Sequence, residues 1–184
     1  MATGQSRASR LVLPVSERDH IQGPPDAPLA LVEYGDYECP YCGLAHPIVK
    51  DVRRRLGRRL RFAFRHFPLA EMHPHALRAA EAAEAAGAQD KFWEMHGLLY
   101  QNQQALDDPD LLSYAAALSL DVPRFVSELA DRTWEARVRE DFMTGVRSGV
   151  NGTPTFFVNG IRHDGPWDAD SLIEALSVVA PVHA

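Results

Sequence analysis

Residues 29–42 read LALVEYGDYECPYC, and this stretch decides the fold. Leu29 to Tyr34 is a short, nearly continuous apolar run with one embedded acid, Glu33, the pattern of a strand covered on both faces. Gly35 to Glu38 supplies a loop. From Pro40 the spacing turns helical, with Leu44, Ile48, Val49, Val52 and Leu56 recurring every three or four residues until Gly57 stops the run. Cys39 and Cys42, the chain's only cysteines, therefore stand where a buried strand hands over to a helix. The unpaired N–H groups and dipole of a helix N-terminus favour negative charge, so Cys39 is placed to be a thiolate, the attacking form. Cys42, almost one helical turn on, is placed to resolve the mixed disulfide that results. Pro40 suits the first helical turn, where a missing N–H costs least.

Working outward, Leu60, Phe62, Phe64 and His66 alternate with Arg61, Ala63, Arg65 and Phe67 ahead of Pro68, a second strand with one aromatic face. Sequence from about His75 to Gly149 is alanine-rich and helical, enough for four or five helices, with start signals at Asp108-Pro109 and Asp121-Val122-Pro123. Phe92, Met95, His96 and Leu99 predict one apolar stripe there, and Trp134, Val138, Phe142 and Val146 another. Thr155–Val158 and Ile161–His163 flank Asn159-Gly160, a tight-turn pair, and predict a hairpin. A helix over about 169–179 closes the chain. The order is βαβ, helical block, ββα: an α/β sheet with an inserted helical subdomain. The expected division is a flexible tail over 1–17, a sheet domain over 18–72 and 150–184, and the helical insertion over 73–149.

At 184 residues, 46% hydrophobic and 24% charged, the chain has the composition of one globular domain. A formal charge of −6 offers no global cationic field, so no nucleic-acid partner is expected. The basic run Arg53, Arg54, Arg55, Arg58, Arg59 and Arg61 sits at a helix C-terminus, where the dipole favours it without a partner. Nowhere do ~20 consecutive apolar residues occur, so no membrane insertion is expected. The polar start, with its apolar run broken at Pro14, lacks an export-signal core, and a cytoplasmic location is the expectation.

Residue for residue, LVEYGDYECPYC (31–42) resembles the opening of thioredoxin-fold proteins related to the disulfide oxidase DsbA. GTPTFFV (152–158) is similar to their second active-site loop. FRHFPL (64–69), HPHA (73–76) and KFWEMH (91–96) also match that family's pattern in order. The resemblance covers about residues 18–178 and is closest to thioredoxin-like domains fused behind some sodium/proton antiporters. It implies a thioredoxin fold with a helical insertion, and a thiol-disulfide oxidoreductase using Cys39 and Cys42. It further implies a cis Thr153-Pro154 bond facing the cysteines, where both residues would present an extended partner. Pro40 and Tyr41 join them as candidate substrate-binding residues, although a surface aromatic explains Tyr41 equally well. Family members place an acid behind the active site; Glu33 at that place takes the proton of Cys42 if buried alone, or is structural if paired with an arginine.

The implied activity needs no cofactor beyond the dithiol/disulfide itself. Its partners would be disulfide-containing or dithiol proteins, with glutathione or a recycling reductase as electron source. Reduction is the direction expected in a reducing cytosol. Two other classes remain open on sequence: a peptide- or protein-binding module whose cysteines are not catalytic, and a Cys/His metal site drawing on His46, His66, His73 or His75. The histidines His66, His73, His75 and His96 are expected to satisfy hydrogen bonds between sheet and helical block.

Overall fold

The computed structural model describes residues 9–178. Its sheet has five strands in the order β1-β3-β2-β4-β5: β1 (His20–Gln22), β2 (Leu29–Gly35), β3 (Leu60–His66), β4 (Thr155–Val158) and β5 (Ile161–His163). Central β2 pairs parallel with β3 and antiparallel with β4. Helix α1 (Pro40–Leu56) is the crossover between the parallel strands. It ends as its sequence predicts, at Gly57, whose φ of 53° carries the backbone into a region glycine enters without penalty. The hairpin turns through Asn159 and Gly160 at φ 48° and 82°.

Between β3 and β4 lie five helices: α2 (Ala76–Gly87), α3 (Phe92–Gln101), α4 (Asp108–Ala117), α5 (Val122–Ala130) and α6 (Glu135–Arg147). Asp121 caps α5 by accepting from the Arg124 N–H at 3.0 Å, and Pro occupies the first turn of both α4 and α5. Helix α7 (Ala169–Val178) returns against α1 and β2.

Strand alternation assigns the two faces. Leu29, Leu31, Phe62, Phe64, Phe156 and Val158 join one core with α1, α3 and α7; Val32, Tyr34, Ala63 and Phe157 join a second on the other face. Glu33 shares the parity of Leu31 and so faces the α1 side.

Several expectations give way here. Residues 1–8 of the expected tail lie outside the described residues, as do 179–184. The rest of that tail is docked: Arg10 bridges Ile161, the Leu11 N–H donates to the Gly160 carbonyl at 3.0 Å, and Leu11 and Val15 pack on the second core. The cause is Arg65, fully buried on β3. Its guanidinium donates to both Asp19 carboxylate oxygens (2.8 and 3.0 Å), to the Leu13 and Pro14 carbonyls and to the Tyr34 hydroxyl, and a buried arginine needs those acceptors. Strand β1 was not anticipated. The apolar stripe read over Trp134, Val138, Phe142 and Val146 is also corrected: Val146 is exposed, and α6 buries Val138, Asp141, Thr144 and Gly145. Asp141 turns inward because Arg18, Arg137 and the His66 N–H converge on it. Leu44, read as part of the α1 core stripe, is exposed as well.

Candidate active site

Both cysteines are reduced and withdrawn from solvent, Cys39 at the N-cap of α1 and Cys42 one turn inside. The loop that delivers them is held by Asp36. Its buried carboxylate accepts from the Glu38 N–H (2.8 Å), the Leu69 N–H (2.9 Å) and His73 Nδ1 (2.7 Å). Its carbonyl accepts from the Cys39 N–H at 3.2 Å, and its N–H points at Cys42 Sγ at 3.5 Å. On the next side, Gln103 Nε2 donates to the Tyr37 and Cys39 carbonyls, both at 2.8 Å. Gly43 makes that approach possible, because a Cβ there would stand 2.1 Å from Gln103 Oε1.

The loop ahead of β4 closes the site. Its Thr153-Pro154 bond is cis, and Cys39 Sγ lies 3.4 Å from the Thr153 carbonyl. Thr153 Oγ1 is buried with no hydrogen-bond partner. The two sulfurs differ sharply. The Cys39 thiol is lowered to about 5, chiefly by a hydrogen bond from Cys42; burial opposes this, while Thr153 and the Cys42 and Tyr41 N–H groups add to it. The Cys42 thiol is pushed well above its ordinary value by burial, by its bond to Cys39 and by the charge of Glu33. One sulfur is thus held toward its ionised form at neutral pH and its neighbour toward its protonated form.

Glu33 lies behind them, buried, its Oε1 without a hydrogen-bond partner. No cation stands within salt-bridge distance of it among the described residues, which overturns the arginine-paired alternative. Burial, with the Cys39 charge second, raises its carboxyl to about 8. Of the other sequence-chosen residues, Pro40 and Tyr41 are exposed on the first turn of α1, and Tyr41 and Leu44, three residues apart on that helix, are each more than 60% exposed.

The histidines settle where sheet and helices meet. His66 Nε2 and His20 Nε2 lie 2.9 and 3.0 Å from Glu84, His75 Nδ1 2.8 Å from Glu38, and His96 Nδ1 3.0 Å from the Tyr37 hydroxyl. Among the described residues the group with metal-ligand spacing is His66, Glu84 and Asp141. It includes neither cysteine, and Arg18 and Arg137 already hold Asp141, so the ligand set of the Cys/His metal alternative is not assembled. Sequence reasoning missed Asp36 and Gln103. Asp36 stands in the quoted loop as one acid among several; Gln103, sixty-four residues from the carbonyl it holds, carries no local signal.

Comparison with known proteins places this geometry. A family model described as Thioredoxin matches residues 15–177. The Na(+)/H(+) antiporter NhaA 1 of Salinispora arenicola is 50% identical over 168 residues, 91% of this chain but 26% of that protein. NhaA 1 of Mycobacterium sp. strain KMS is likewise 50% identical, over 90% of this chain and 28% of its own. The chain thus spans about a quarter of the length of these curated relatives. Among solved structures, a thioredoxin-like oxidoreductase from Silicibacter pomeroyi superposes with a TM-score of 0.78 at 25% identity, covering 88% of this chain and 92% of that one. BdbD from Bacillus subtilis superposes equally well at 22% identity, covering 93% and 97%. No helix among the described residues is long and apolar enough to cross a membrane.

Proposed function

From its membership of the thioredoxin family, to which the chain belongs with a DsbA-like fold, we propose that it is a thiol-disulfide oxidoreductase working through Cys39 and Cys42. The observation that carries this reading is the meeting of two free cysteines at the start of α1 with the cis Thr153-Pro154 bond, Cys39 Sγ 3.4 Å from the Thr153 carbonyl; a thiol lowered to about 5 beside a thiol raised by burial agrees with it. A structural pair has no need of that asymmetry.

In the reducing direction the Cys39 thiolate attacks one sulfur of a partner's disulfide. The S–S bond breaks, the partner's second sulfur leaves as thiolate and takes a proton from solvent, and a Cys39–partner disulfide remains. Forming the mixed disulfide removes the Cys39 charge, one of the two causes that raise Glu33, so that carboxyl ionises more readily; Cys42 then gives its proton to it and attacks Cys39 Sγ. The partner's remaining sulfur leaves, and Cys39 and Cys42 end as a disulfide, two electrons poorer. Read backwards, the same steps oxidise a dithiol partner. Thr153 and Pro154 offer backbone to an extended peptide, and Tyr41 and Leu44, exposed near the start of α1, offer apolar surface to its side chains. Glutathione or a dedicated reductase would recycle the pair.

Stabilising the Cys39 thiolate stabilises the dithiol form, which makes the couple more oxidising than one with unshifted thiols. A cytoplasmic setting pulls the other way by keeping the pair reduced. Equilibrating the protein in glutathione buffers and counting alkylated thiols by mass gives the potential. A single two-electron transition is expected. A value near ~−120 mV assigns an oxidant and one near ~−270 mV a reductant; no disulfide across the range overturns the enzyme reading in favour of a binding module.

A further inference from the structure

Behind Glu33, on the side away from the Thr153 loop, a cavity of about 190 Å³ opens between α1, α3 and the sheet. At ~30 Å³ per water molecule it has room for about six. His46, Lys50 and Arg53 line it from one face of α1, spaced i, i+4, i+7; Trp93, His96 and Gly97 line it from α3, and Gln22 and Glu33 from the sheet.

The lining is one-sided in its chemistry. Lys50, exposed at the cavity mouth, and the half-buried Arg53 have no hydrogen-bond or ion-pair partner among the described residues, and burial lowers the Arg53 guanidinium. Arg18, Arg65, Arg78 and Arg137, withdrawn from solvent in the same way, each face a carboxylate. Burial, then Lys50 and Arg53, depress His46 to about 4, and His96 is depressed by burial, His46 and Arg53 among others; both rings are neutral. The one carboxyl in the wall is Glu33, protonated at neutral pH and with an oxygen unpartnered. Ammonium and guanidinium are charged donors, the acid O–H donates too, and the neutral imidazoles and the Gln22 amide each offer a donor beside an uncharged acceptor. What is missing is an acceptor carrying negative charge.

We propose that this cavity is a binding site for a small oxyanion, a carboxylate or phosphate of a few heavy atoms, held by Arg53 and Lys50 and reaching toward the Glu33 carboxyl. A guanidinium grips two oxygens of such a group at once, and Lys50 adds a point charge. Trp93 and Phe62 give it an apolar wall, and size excludes a peptide. The site goes beyond the proposed redox chemistry and does not depend on the cysteines being active.

The test uses the whole protein at fixed pH and fixed ionic strength, exchanging chloride for inorganic phosphate in one arm and for malonate in the other, with NMR following the Trp93 indole N–H and the Gly97 amide. Saturable shifts at these two reporters are expected, stronger for whichever source the site is built for, and unchanged in a Cys39→Ser/Cys42→Ser protein. Lys50→Gln/Arg53→Gln should weaken the affinity at least tenfold while leaving disulfide exchange in chloride unaltered. A second variant, Gly97→Leu, puts a side chain into open space at the cavity wall, where a Cβ meets nothing within 4 Å, and should reduce binding without removing a charge. Non-saturable shifts, shifts spread over Arg54, Arg58 and Arg59 instead, or equal affinity in Lys50→Gln/Arg53→Gln would each overturn the proposal.

Discussion

Glu33 and Glu84 are both buried carboxylates of the same domain, and the fold treats them in opposite ways. Around Glu84 every neighbour is a partner: His20 and His66 donate to it, and Arg137 stands 4.0 Å away. Burial works to raise its carboxyl, but those bonds outweigh it and hold the group well below the ordinary range. Around Glu33 there are Phe64 and Phe156 as strand neighbours, two sulfurs and a cavity, and its carboxyl goes up to about 8. A carboxylate that is paired and desolvated is part of the scaffold; one that is desolvated and left alone is a proton store, because near neutrality it can both hold and release. On the proposed function, the contrast separates the half of the molecule that does chemistry from the half that positions it.

The sharpest way to break this division is at the sulfur. Cys39→Ser should abolish disulfide exchange in a turnover assay with a model disulfide peptide while leaving the urea midpoint nearly unchanged; retained turnover would put the chemistry elsewhere. On the scaffold side, Glu84→Ala should cost about 3–5 kcal/mol in urea denaturation, since it breaks a buried cluster and strands His20 and His66, with exchange chemistry intact in the fraction that folds. Glu33→Gln should do the reverse, slowing resolution of the mixed disulfide by ~10²-fold or more in stopped-flow measurements and leaving formation of that intermediate nearly unaffected. The smallest change is Tyr41→Ala, expected to raise KM for a peptide by no more than about fivefold, under ~1 kcal/mol, with kcat held.

Stability against pH tests the same pair with the signs opposed. The folded-state value of Glu33, about 8, lies above its ordinary 4.5, so its contribution is complete below pH 4.5 and is lost as pH rises through 8. The folded-state value of Glu84 lies below its ordinary one, so its contribution is present above pH 4.5 and is lost as pH falls. Glu33→Gln should flatten the alkaline limb of the profile and Glu84→Gln the acid limb. Finding both effects on one limb would erase the distinction.

What the amino-acid order revealed follows the range of the forces involved. The handover from β2 to α1, the stop at Gly57 and the Asn159-Gly160 turn are local, set by periodicity and backbone preference over a few residues, and each stands where its sequence predicts it. The interior polar groups were not legible. Arg65 reads as the outward residue of an alternating strand, yet Asp19, 46 positions away, makes its burial possible. Asp141 reads as the polar side of α6 and lies inside for the same kind of reason. Three-residue β1 is too short to show a period at all. At the site, the cysteines announced themselves by spacing and position; Glu33 stood out as an acid in an apolar strand, but its solitude is a property of its distant neighbours.

The docked segment ahead of β1 has a consequence for how the domain can be joined to other polypeptide. Leu11 and Val15 rest on the sheet face opposite α1, and Arg65 clasps Leu13 and Pro14 from beneath. Tension applied through Ser9 therefore pulls first against the contacts of Ser9, Arg10 and Leu11 with the β4–β5 hairpin, and Arg65 is the second line that holds Leu13 and Pro14 once those give way.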